Sequence, residues 1–112
     1  MIKFENQIFH LSNKKFSYVM EISKGKHLLH RYWGKAIKEF HDSATLQPLD
    51  RGFSGQLADY PNERTYSLDT LPQEYPVNGR TDFRIPAYRV ELENGTNISE
   101  LNYKSHKIIS GK

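Results

Sequence analysis

Hydrophobic and polar residues alternate with period two at both ends of this chain and lose that period in the middle. "FSYVMEIS", residues 16–23, sets Phe16, Tyr18, Met20 and Ile22 against Ser17, Val19, Glu21 and Ser23. Side chains flip faces at every residue of a strand, so this alternation predicts a half-buried strand. "HLLHRYW", residues 27–33, is β-prone and follows "SKGK", where Gly25 is expected to take positive φ and close a hairpin onto the preceding strand. The opening "MIKFENQIFHL" predicts two short strands joined near Glu5 and Asn6. Towards the other end, "YRVELE" alternates Tyr88, Val90 and Leu92 with Arg89, Glu91 and Glu93. Asn94-Gly95 follows, a pair that accepts the positive φ of a type I′ turn, and "LNYKSHKII" continues as a further strand with Leu101, Tyr103 and Ser105 on one face. Residues 34–44, "GKAIKEFHDSA", lack a sustained apolar stripe and read as strand or loop. Six or seven strands and no helix predict an all-β fold, an antiparallel β-sandwich with one polar face per hairpin.

Between about Pro48 and Pro86 the periodicity fails. All five prolines fall there, and Phe53, Tyr60, Tyr66, Tyr75 and Phe83 are interleaved with Asp50, Arg51, Arg64, Asp69, Glu74, Asp82 and Arg84. Long structureless connections are uncommon in compact domains and are usually functional or disordered. This aromatic density argues for an ordered loop, anchored by rings and paired charges.

Composition narrows the class. At 112 residues, with 37% hydrophobic and 26% charged side chains, the chain reads as one globular domain. Its net charge of +3 comes from lysines and arginines spread along the sequence, so no nucleic-acid footprint is indicated. No segment has the roughly 18 apolar residues of a membrane span. There is no cysteine, which excludes disulfides and zinc thiolates and agrees with a reducing compartment. The N-terminal residues lack a basic stretch followed by an apolar one, so a cytoplasmic location is expected.

Candidate chemistry is sparse. His27 and His30 are three apart on an expected strand and point to opposite faces, while His10, His41 and His106 stand alone. They read as surface or hydrogen-bonded histidines, with no metal site and no cofactor expected. Asp50, Asp59, Asp69, Glu74 and Asp82 lie in the loop, but Arg64, Arg80 and Arg84 are available there as ion-pair partners. Trp33 reads as a core or half-core side chain at a hairpin end. Nucleotide-binding, serine-hydrolase and zinc-protease motifs are absent from the sequence.

"LHRYWGK", "PLDRGFS", "ERTYSLDTLPQEYPVNGRTDFRIPAYRVELENG" and "YKSHKIISGK", in that order, resemble the N-terminal domain of bacterial α-galactosidases of glycoside hydrolase family 36. The resemblance covers nearly the whole chain. It implies that residues 1–112 are part of a large β-sandwich, or supersandwich, left incomplete, in an enzyme that hydrolyses terminal α-galactosides of the melibiose and raffinose type with retention. The family's catalytic (β/α)8 barrel and its Lys-Trp-Asp nucleophile motif have no counterpart here, because the only tryptophan, Trp33, is followed by glycine. No catalytic residue is therefore assigned, and the chain alone is expected to be inactive. Retaining hydrolysis needs two carboxyl groups about 5 Å apart around one sugar. The resemblance further implies that the domain supports a homo-oligomer and reaches a neighbouring subunit's active site. Asp50 in "PLDRGFS" would contact the sugar as a hydrogen-bond acceptor, Arg64 in "ERTYSLDT" would orient that acceptor or close the pocket, and Tyr66, Tyr75 and Phe83 would anchor the interface. Its expected partners are the rest of its own chain, homo-oligomer subunits and a galactoside. A free-standing carbohydrate-binding or protein-interaction sandwich is the alternative.

Overall fold

A computed structural model describes residues 1–41, 49–50, 52 and 55–110. They fall into two compact units, Met1–Ser43 with Asn102–Lys112, and Ala44–Leu101. Arg51 and Phe53 of the expected loop, and the end of the 34–44 segment, lie outside the described residues.

The first unit is a four-stranded antiparallel meander, β1 (Ile2–Glu5), β2 (Ile8–Ser12), β3 (Phe16–Ile22) and β4 (Leu28–Lys35), hydrogen-bonded in chain order. Short turns impose that order. Asn6 and Gln7 both have positive φ, 49° and 65°, and join β1 to β2 in a two-residue turn of the type I′ kind, whose twist matches the strands. Asn13 Oδ1 accepts from the amides of Lys15 and Phe16 at 2.7 and 2.9 Å, an Asx turn that starts β3. Between β3 and β4 the Lys26 amide donates to Ser23 O, the Ser23 amide to His27 O, both at 2.9 Å. Lys26, with φ 62°, takes the left-handed position expected of Gly25.

Register then fixes the faces. Val19, Ser17, His10 and Leu29 share one side, where Val19 and Ser17 are completely buried. The segment after β4 returns over it: the Ile37 amide donates to Ser17 Oγ at 3.1 Å, and residues 38–41 line a cavity of about 290 Å³ with Lys3, Glu5 and His10. His10 Nε2 and Ser17 Oγ are hydrogen-bonded at 2.9 Å, satisfying both polar groups in the core. Phe9 and Ile22 are buried on the opposite side. There Tyr103 and His106 cover part of the sheet, with His106 4.3 Å from Phe4 and 4.8 Å from Phe9, centroid to centroid. Each fully buried aliphatic or aromatic side chain contributes about 1.5–3 kcal/mol.

β3 and β4 do not pair evenly. Val19 faces Tyr32 while Met20 faces His30, so Arg31 is an extra residue, a β-bulge. Its guanidinium is almost buried and ion-paired with Glu21. Beyond the bulge Trp33 pairs with Tyr18 and joins Leu11 and Phe16 on the uncovered part of the sheet, around an apolar depression of about 410 Å³. Trp33 is 73% exposed, which corrects the core placement expected from its neighbours.

The second unit contains no named strand among its described residues. Its core is Leu57, Tyr66, Leu68, Leu71 and Val77, with Ser67 and Asp82 buried among them. Successive backbone hydrogen bonds tighten the chain, including Tyr60 N to Leu57 O and Leu71 N to Ser67 O. The aperiodic middle is thus an ordered loop with its own small core.

Two expected strands are not formed. Residues 88–93 and 101–109 have no ladder partner among the described residues, and Tyr88, Val90 and Leu92 are exposed. Alternation specifies which side chains share a face, but a strand also needs a neighbouring edge to bond. The Asn94-Gly95 turn also differs in type. Gly95 N donates to Leu92 O at 2.8 Å and Leu92 N to Thr96 O at 2.9 Å, with only Gly95 left-handed, at φ 79°. That is the three-residue loop, a type I turn followed by a left-handed glycine, instead of type I′. The architecture is therefore all-β, an open antiparallel sheet consistent with an incomplete sandwich, with no helix among the described residues. Among the described residues no helix is long and apolar enough to cross a membrane.

Candidate functional site

Among the described residues, three arginine–carboxylate groupings organise the second unit, in keeping with its composition. The first joins the two residues singled out for substrate contact. Arg64 Nη2 lies 3.0 Å from Asp50 Oδ1, and both side chains are about half exposed, at 51% and 48%. The same Oδ1 accepts the Gly52 amide at 2.9 Å. An aspartate that binds the amide two residues on makes an Asx turn, so the "D-R-G" spacing builds this local geometry. The pair is an exposed, oriented acceptor with a guanidinium alongside.

The second pair is structural. Asp82 is 1% exposed. Its Oδ1 accepts Arg84 N and Nε at 3.1 and 2.9 Å, and its Oδ2 accepts Arg84 Nη2 and Gln73 Nε2 at 2.8 and 2.7 Å. Arg84 Nη2 and Gln73 Nε2 also donate to the Leu68 carbonyl. Burial alone raises the Asp82 pKa, but the hydrogen bonds and charge of Arg84 outweigh it and hold the carboxyl below its ordinary value of 3.8. The third pair links Arg80 to Asp59 Oδ2 at 3.2 Å and to Glu100 Oε2 at 3.4 Å.

The expected interface rings separate. Tyr66 is buried in the unit's own core, 4.9 Å from Tyr60, so the interface role expected of it is corrected: it anchors the loop from within. Tyr75, 52% exposed, stacks on Tyr88 at 5.9 Å, and Phe83 is 89% exposed. Asp69 accepts the Ser67 hydroxyl at 2.5 Å. Among the described residues no cluster of three His, Asp or Glu is placed to hold a metal ion. Sequence reasoning missed Gly52, although its spacing from Asp50 carried the signal, and Gln73, whose role depends on a long-range meeting with Asp82.

Fold and site together define a class: an all-β scaffold whose ordered loop displays an oriented acid–guanidinium pair. The profile of the glycosyl hydrolase family 36 N-terminal domain matches residues 26–112, and the chain belongs to that family. Alpha-galactosidase AgaA of Geobacillus stearothermophilus is 50% identical over 104 residues, covering 93% of this chain and 14% of the relative. Alpha-galactosidase Mel36A of Lactobacillus acidophilus is 45% identical over 114 residues, covering 100% of this chain and 15% of the relative. The crystal structure of an AgaA variant in complex with raffinose superimposes with a TM-score of 0.80 at 49% identity, covering 89% of this chain and 14% of that one. The chain therefore spans about one seventh of the length of these relatives.

Proposed function

We propose that this chain is the N-terminal, non-catalytic part of a retaining α-galactosidase that removes terminal α-linked galactose. In that enzyme it supports assembly of a homo-oligomer and lends the Asp50–Arg64 loop to a neighbouring subunit's active site. The observation that carries this reading is the exposed pair itself: Arg64 is held 3.0 Å from a carboxylate that also accepts an amide, in a chain half identical to an α-galactosidase. A preset acceptor gains affinity for a hydroxyl because little ordering is left to do on binding. Bond cleavage falls to a pair of carboxyl groups elsewhere in the enzyme. We place the protein in the cytoplasm, in keeping with its lack of cysteine.

The test uses the full-length oligomeric enzyme. Asp50→Ala is expected to lower kcat/KM by the equivalent of roughly 1–3 kcal/mol, with folding and assembly retained. Unchanged kinetics with a terminal α-galactoside would remove Asp50 from the site. A full-length enzyme that is monomeric and still fully active would remove the contribution across subunits.

A further inference from the structure

We infer that Gly52 is a positioning residue for the Asp50–Arg64 pair, and that its lack of a side chain is what lets two donors meet on one carboxylate oxygen. The inference rests on the reading of Asp50 as a sugar contact and concerns how that contact is held. Among the described residues, the contacts of Asp50 fall on Oδ1, from the Gly52 amide at 2.9 Å and from Arg64 Nη2 at 3.0 Å. Two donors from different directions fix the carboxylate's rotation about its last bond. With Oδ1 so engaged, Oδ2 is the oxygen left to accept a substrate hydroxyl.

Gly52 serves this arrangement twice. Its φ of 74° is the left-handed conformation, which other L-residues adopt reluctantly. Its α-carbon also faces the guanidinium: a Cβ there would lie 2.9 Å from Arg64 Nη2, inside contact distance. The atom in the way is the far end of a flexible, half-exposed side chain. A methyl group would therefore displace the guanidinium and leave the chain's own packing in place. Arg64 would swing off Asp50, the carboxylate would lose its second donor, and its hold on Oδ2 would loosen.

A turn glycine with no such role predicts a different result, because backbone strain at position 52 is the same whether or not an arginine stands opposite. The experiment is a cycle in the full-length enzyme, with Gly52→Ala introduced into the parent and into an Arg64→Ala variant, and with Asp50→Ala alongside. In the parent, Gly52→Ala is expected to raise KM about tenfold with kcat within about twofold, since a preset ground-state contact is lost. In the Arg64→Ala background the same substitution is expected to change KM by less than about twofold, because the group it collides with is gone. An equal factor in both backgrounds, a parental KM, or failure of the Gly52→Ala enzyme to fold would each overturn the inference. If Asp50→Ala impairs the enzyme and Gly52→Ala does not, this inference fails alone. If Asp50→Ala is itself silent, the reading beneath it fails as well.

Discussion

Asp82 is a carboxylate that has given up nearly all contact with water, and such a group stays ionised only where its lone pairs are filled. Arg84, Gln73 and one backbone amide fill them. Its folded pKa is depressed below the ordinary 3.8, so its stabilising effect is present above the unfolded value and is lost as pH falls through the folded one. The urea midpoint of the chain should therefore drop as pH falls below about 4. Asp82→Asn should be less stable near neutrality and should flatten that acid limb. An Asp82→Asn chain with an unchanged acid slope would assign the loss to other carboxylates. The acids and arginines were legible as a balanced set in the sequence. Their pairing was not, because partners up to 21 positions apart, such as Arg80 and Asp59, meet only after the loop has closed.

At the scale of elements, the turns decide more than the strands. The β3–β4 loop places a lysine, Lys26, in the left-handed region at φ 62°, next to a glycine that is not left-handed. An L-residue pays for that conformation with about 1–2 kcal/mol of steric strain. Lys26→Gly should relieve most of it, less the extra freedom gained by the unfolded chain, and stabilise the first unit by about 0.5–1 kcal/mol. Thermal unfolding would register this as a rise of a few degrees, and a lower Tm would mean that the Lys26 side chain contributes more than its backbone costs. β3 was readable from period two, and β1, β2 and β4 from short β-prone runs joined to their neighbours by short turns. The same period at 88–93 and 101–109 predicted strands that do not form, since no edge within the described residues is presented to them. The loop's order followed from its aromatic content, but which rings face inward did not. Tyr66 is buried and Phe83 is not, a division set by how the turns at residues 57–71 wind, and periodicity carries no trace of that winding.

For the whole molecule, the open part of the sheet is the feature that most affects behaviour in solution. Phe16 and Trp33 are 46% and 73% exposed beside Leu11 and Tyr18, and on unit two Phe83 and Ile85 are 89% and 86% exposed. Contiguous apolar surface of this kind promotes self-association. The purified 112-residue chain should bind a hydrophobic dye, and Phe16→Ser with Trp33→Ser should weaken that signal while the sheet remains folded. Dye emission that the double substitution leaves untouched would place the sticky surface elsewhere. The family's fold was legible here through a run of matching motifs. The position of Asp50 beside Arg64 was expected from that resemblance alone, since they stand fourteen positions apart in the sequence and spacing gives no reason for them to meet.

The irregular pairing at Arg31 has a consequence for inheritance. Side chains along a strand follow an odd–even rule, and the additional residue resets the count halfway along β4. A gene that lost this one codon would leave Tyr32 opposite Val19 and Trp33 opposite Tyr18, on an even ladder with the bulge gone, and would remove the ion pair of Arg31 with Glu21. Loss of residue 31 keeps the parity of the strand, whereas deletion of a paired neighbour inverts it. At this position the chain can change its number of residues without exchanging its faces.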